Sequence, residues 1–114
     1  MAEEPSRREV WFADLNPTIG REQAGIRPVL VVSTNSLNHG PADLVVAVSL
    51  TTRARRVQSW VQIDPPEGGL RATSYVMCET VRSLSKTRLI RRWGSVSEAT
   101  MEEVEDVLRV LLEL

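Results

Sequence analysis

Leu44-Val45-Val46-Ala47-Val48-Ser49-Leu50 holds six apolar side chains and one hydroxyl. A run this short, continuous and rich in branched residues reads as a strand buried on both faces. Working upstream, Pro28-Val29-Leu30-Val31-Val32-Ser33 is a second such run, opening on a proline where a strand tolerates one. Glu9-Val10-Trp11-Phe12-Ala13 reads as a first strand, and Asp14 to Gly20, with Asn16-Pro17 inside it, as a turn-rich loop. Thr34 to Asp43 carries two Asn, a Gly and a Pro and reads as a loop. Downstream, Ser59-Trp60-Val61-Gln62-Ile63 alternates until Asp64-Pro65-Pro66-Glu67-Gly68-Gly69 stops it. Ser74 to Glu79 continues as strand towards Val81 and Leu84. Ser85 to Leu89 fits a single helical turn, and Arg92 to Val96 a last short strand.

The period then changes. Ser97 can cap a helix whose first turn holds Glu98. Met101, Val104, Val107, Leu108 and Leu111 fall on one face, with Glu102, Glu103, Glu105 and Asp106 around the rest. The pattern predicts a mainly β chain with a C-terminal helix packed on a small, strongly curved sheet or barrel. One domain spans residues 1–114, with residues 1–8 expected to be flexible.

The chain has 114 residues, 42% of them hydrophobic and 25% charged, which excludes disordered and fibrous classes. No apolar run is long enough for a membrane helix, and the acidic start Met1-Ala2-Glu3-Glu4-Pro5 lacks a secretory signal, so a cytoplasmic protein is expected. Cys78 and His39 are each alone, which excludes an internal disulfide and argues against a Cys/His zinc site. The net charge of −1 hides a segregation: residues 21–97 carry a net +6 and residues 98–114 a net −5. Thirteen of the fourteen cations are Arg, the side chain that grips phosphate in a bidentate fork. A codon bias towards Arg explains that preference equally well, but not the segregation.

Two segments stand out chemically. In Gly20-Arg21-Glu22-Gln23-Ala24-Gly25-Ile26-Arg27-Pro28, the proline holds Arg27 in an extended conformation at a strand entrance. There it can clamp a phosphate or simply pair with Glu22. In Leu50-Thr51-Thr52-Arg53-Ala54-Arg55-Arg56 a buried strand delivers two hydroxyls and then three cations. That arrangement suits a phosphate backbone, and it equally suits a solvated loop. Trp60 and Tyr75 read as core residues on alternating strands, with base stacking as the other use. Cys78 reads as a small buried hydrophobe and His39 as an exposed bystander. The chain has no histidine pair, phosphate-binding glycine loop or acidic cluster outside the terminal helix. Transfer chemistry would therefore rest on Arg, Thr/Ser and Glu without a metal or cofactor.

At these residues the chain resembles the MazF/PemK family of toxin endoribonucleases. The resemblance runs from Glu9 to Ser33, densest in the block from Gly20 to Ser33, and continues through Val46 to Thr52 and Glu79-Thr80-Val81-Arg82-Ser83-Leu84. It ends with Arg88-Leu89, Gly94 and the C-terminal helix. It implies an SH3-like fold of the CcdB/PemK type, a homodimer, cleavage of single-stranded RNA and restraint by a MazE-like antitoxin. It also implies a catalytic pair at Arg27 and Thr51, with Glu22 as an accessory catalytic or loop-ordering group. RNA contacts would come from Gln23, Thr52, Arg53, Arg55, Arg56, Glu79, Thr80, Arg82 and Ser83. Thr80 stands where several relatives carry Gln, and the loop after Thr52 is more basic than in many, so the cleavage sequence does not transfer. Two other readings keep the fold: a CcdB-like toxin that binds a protein such as gyrase, and a passive RNA-binding barrel. The first relies on a C-terminal Trp-Gly, whereas Trp93-Gly94 here lies inside the last predicted strand.

Overall fold

The computed structural model describes residues 4–16 and 25–114. Among these residues six strands form one antiparallel sheet: β1 (Glu9–Asp14), β2 (Ile26–Val31), β3 (Leu44–Thr51), β4 (Trp60–Ile63), β5 (Ser74–Ser85) and β6 (Leu89–Ser95). Their spatial order is β4-β5-β3-β2-β1-β6, and the edge strands β4 and β6 do not pair. The sheet is curved and open rather than a closed barrel. A helix of 15 residues, α2 (Glu98–Leu112), follows β6, and a single turn, α1 (Asn35–Asn38), follows β2.

β3 is buried on both faces, as its composition demands. Val48 and Leu50 join Val10, Leu30, Val76 and Cys78 in the core that α2 covers with Met101 and Val104. Val45 and Ala47 join Trp11, Ala13, Val29 and Val31 on the opposite face, with Leu15 and Leu84. α2 covers one of these faces, and β5 departs from regular pairing alongside β3. Ser49 pairs with Met77 but Ala47 with Arg82, so two steps along β3 match five along β5. The Thr80 hydroxyl fills the resulting gap, accepting from the Ser49 N–H (2.9 Å) and donating to the Met77 carbonyl (2.7 Å).

Backbone-to-backbone contact closes the other side of the curl. The connection from β4 to β5 makes a 3-10 turn at Glu67–Gly69 that rests on β6. A Cβ at Gly69 would lie 2.1 Å from the Trp93 carbonyl oxygen, and one at Gly94 would lie 2.7 Å from the backbone of Gly68 and Gly69. Gly69 also sits at φ +71°, in the left-handed region. Glu67 ties the same turn to α2: one carboxylate oxygen accepts from the Ser97 N–H (2.9 Å) and the Thr100 hydroxyl (2.6 Å). Ser97 caps the helix, its hydroxyl accepting from the Thr100 N–H at 3.1 Å.

Several expectations shift. Thr34 to Asp43 is not all loop, because fully buried Asn38 donates to the Ser33 carbonyl and holds one helical turn, α1. β6 begins three residues earlier than read, at Leu89, paired with Ala13. Described residues of the amino-terminal segment make contacts with the body of the fold. Lys86 pairs with Glu4 (2.9 Å), Arg7 with Glu105 (3.3 Å), and the Arg8 N–H donates to the Val31 carbonyl (2.9 Å). The last turn of α2 is exposed at Val110, Leu111 and Leu112 although Leu111 continues the apolar stripe.

Gly69→Ala should lose more than about 2 kcal/mol in urea denaturation, because no flexible side chain can yield to the added methyl. An unchanged midpoint would show that the seam tolerates separation. For Glu67, burial by itself would raise the carboxyl, but the hydrogen bonds from Thr100 and Ser97 outweigh it and hold it below its ordinary value. A depressed folded-state pKa contributes stability above the unfolded value, near 4.3, that is lost as pH falls through the folded one. Glu67→Gln should therefore lower stability at pH 7 and flatten the acid limb of the stability curve; an acid limb as steep as in the parent would contradict the assignment.

Candidate active site

Arg27 lies on β2 and Thr51 at the end of β3. The two strands pair through Val29↔Ser49, Leu30↔Val48 and Val31↔Ala47. Continuing that register by two residues sets Arg27 opposite Thr51. Pairing stops short of them for a chemical reason. The ladder between β1 and β2 runs straight through Phe12↔Pro28 to Asp14↔Ile26. The N–H that Pro28 lacks therefore belongs to the β3 side, where the strands part.

Alternation puts both residues on one face. Thr51 is paired with Tyr75, Tyr75 with Gln62, and Arg27 with Ala13, so one cross-strand row reads Gln62, Tyr75, Thr51, Arg27, Ala13. Arg27 and Thr51 are half-buried at the rim of the core that holds Val29 and Ala47. The Thr51 hydroxyl accepts from the Arg53 N–H at 3.2 Å, which leaves its own proton to donate elsewhere. Arg53, Arg55 and Arg56 follow in an exposed loop, residues 52–58.

The other sequence-selected residues divide. Thr52 is exposed and, one step from Thr51, takes the opposite side of the strand end. Arg82 pairs with Ala47 and shares the Arg27 face, whereas Ser83, paired with Val46, falls on the other. Thr80 is occupied in the β5 bulge described above. The Glu79 carboxylate accepts from the Ser59 hydroxyl (2.6 Å) and the Trp60 indole N–H (2.8 Å), bracing the exposed edge of β4. Glu22 and Gln23 lie outside the described residues, but the ends of their segment are pinned together. The Leu15 N–H donates to the Gly25 carbonyl at 2.9 Å, and the Gly25 N–H to the Asn16 side chain at 3.0 Å. Arg88 clamps the near end through the Asn16 carbonyl at 2.6 Å.

Trp60 and Tyr75 do not sit in the core as their alternation suggests. Both are half-exposed on the Arg27 face, ring centroids 6.1 Å apart. Sequence reasoning also missed Gln62, whose place in the row depends on a register that no local pattern encodes. Cys78 is fully buried, and burial, with the neighbouring Glu79 charge, pushes its thiol up to about 11, so it is protonated at neutral pH. His39 meets the Ser6 hydroxyl at 3.1 Å. Among the described residues no three His, Cys, Asp or Glu side chains gather as a metal site needs, and no helix is long and apolar enough to cross a membrane.

A half-buried guanidinium beside a hydroxyl, flanked by exposed arginines, suits a phosphodiester. Comparison with known proteins gives the family. The chain is 32% identical over 109 residues to Endoribonuclease EndoA of Bacillus subtilis, covering 95% of this chain and 94% of that protein. It superposes on a mycobacterial endoribonuclease solved with its cognate antitoxin, with a TM-score of 0.80, 34% identity and 96% of each chain covered. MazF of Deinococcus radiodurans matches with a TM-score of 0.89 and 25% identity, over 99% of this chain and 100% of that one. The family described as PemK-like, MazF-like toxin of type II toxin-antitoxin system matches residues 6–112, and the chain belongs to it.

Proposed function

We propose that this chain is a sequence-specific endoribonuclease toxin that cuts single-stranded RNA by transesterification, without a metal. The observation that supports the reading is the β2–β3 register, which, continued two residues beyond Val29↔Ser49, sets Arg27 across from Thr51. The 2′-OH of the substrate attacks the adjacent phosphorus. A 2′-O–P bond forms, the P–O5′ bond breaks, and the products are a 2′,3′-cyclic phosphate and a 5′-OH. The nucleophile comes with the RNA, so the protein need only stabilise charge and handle protons. Arg27, always cationic, offsets the charge that builds on the pentacoordinate phosphate. Thr51 donates its free proton to a non-bridging oxygen. Glu22, on the segment pinned at Asn16 and Gly25, is the candidate to take the 2′-OH proton, which the 5′ oxygen regains by the end of the reaction. Arg53, Arg55 and Arg56 hold flanking phosphates.

The active form is a cytoplasmic homodimer, since one curved sheet of this size offers too little concave surface to enclose several nucleotides. Pairing about a two-fold axis repeats the basic body on both sides of a groove. The MazE-like antitoxin that restrains it is an acidic, partly disordered segment that orders along the groove and neutralises its arginines.

Arg27→Ala and Thr51→Ala should fold as the parent does and each lower cleavage at least about 100-fold. Cleavage should persist in EDTA and vanish when the nucleotide before the scissile phosphate is 2′-deoxy. Parent-like rates in both variants, or cutting of the deoxy substrate, would overturn the mechanism. Replacing Arg53, Arg55 and Arg56 together by Ala should flatten the log–log salt dependence of RNA binding by roughly 2, at about 0.7 per phosphate. An unchanged slope would make that segment a solvated loop.

A further inference from the structure

On the other side of the strand ends from Arg27 and Thr51, a cavity of about 580 Å³ opens between β6 and the start of β5. Its volume lies within the roughly 300–1,000 Å³ typical of ligand pockets. The chain neighbours of the catalytic pair, Pro28 and Thr52, line it together with Arg71, Arg91, Arg92 and Trp93. Trp93 is held by stacking on Phe12, centroids 5.2 Å apart and planes 13° from parallel, so its indole is a fixed wall. Arg92 is committed to Glu9 at 2.7 Å. Arg71 and Arg91 are exposed, and among the described residues neither side chain has an ion-pair partner. No described lining residue is acidic.

A fixed aromatic wall, two uncommitted guanidinium groups and a hydroxyl are complementary to a nucleotide: base on the indole, phosphate on the cations. We propose that this cavity binds a nucleotide flanking the scissile phosphate, so that RNA crosses the lip where β2 and β3 part. One phosphate then lies at Arg27 and Thr51, and a neighbouring nucleotide reaches over Pro28 and Thr52 to Trp93. The inference rests on the ribonuclease reading and extends its substrate contacts to a surface outside the segments that the sequence marks.

The test uses the full chain and a fluorescent random 12-mer of 2′-O-methyl RNA, which cannot be cleaved, so that binding is read independently of cutting. Because both side chains are exposed, R71A/R91A should fold as the parent does, which circular dichroism checks. The double variant should bind about tenfold or more weakly, and its log–log salt slope should fall by about 1.4. RNA of the same kind carrying 4-thiouridine should photo-crosslink to the peptide that contains Trp93. Equal affinity and slope for parent and double variant would overturn the proposal, as would crosslinks confined to residues 51–58. It would also fall if the double variant bound RNA normally and lost affinity only for polyglutamate, since the cavity would then serve an acidic peptide. Expected binding losses in a parent that cuts no RNA would leave the subsite standing and remove the ribonuclease reading.

Discussion

A sheet whose edge strands do not pair keeps its curl only if something else spans the gap. Here backbone lies against backbone. Gly68 and Gly69 rest on Trp93 and Gly94 at distances that leave no room for a Cβ. The contact brings the connection between β4 and β5 onto β6 and fixes the core beneath it. Leu70, directly after the turn, is buried in that core beside Val96. Through Glu67 the same turn holds the first residues of α2, so helix and sheet share one anchor.

The curl positions the chemistry in two ways. It wraps β5 around β3, so that β3 ends in a two-sided core and presents Thr51 at a rigid rim rather than on a free loop. It also sets Trp93 and Arg91 on one wall of the cavity whose other lining includes Pro28 and Thr52. Pro28 then matters twice. It holds Arg27 extended, and its missing N–H lets β2 and β3 separate between Arg27 and Thr51. In the mechanism we propose, preorganised charge of this kind needs no rearrangement at the moment of reaction, so an arginine and a hydroxyl would suffice for a substrate that carries its own nucleophile.

Much of this was legible in the chain because it depends on local pattern. The apolar run of β3 announced burial on both faces, and the change of period after Val96 announced α2 with its Ser97 cap. What stayed hidden depends on register. The three extra residues in β5 around Thr80 look like ordinary strand, because a bulge changes pairing without changing composition. Trp60 and Tyr75 alternate like core residues, yet that face is covered only along part of its length. Arg27 and Thr51 were each ambiguous between phosphate contact and ordinary surface. Their resemblance to the MazF/PemK pattern singled them out, and the register of β2 with β3, continued by two residues, sets them opposite each other, as the proposed joint role requires.

A double-mutant cycle shows whether Arg27 and Thr51 act jointly. Single-turnover cleavage of one oligoribonucleotide would be measured for the parent, Arg27→Ala, Thr51→Ala and the double variant. If both side chains stabilise the same phosphate in one transition state, the double variant should lose little more than the worse single variant. Losses that simply multiply would mean that the two residues act independently, and the shared-phosphate mechanism would be wrong.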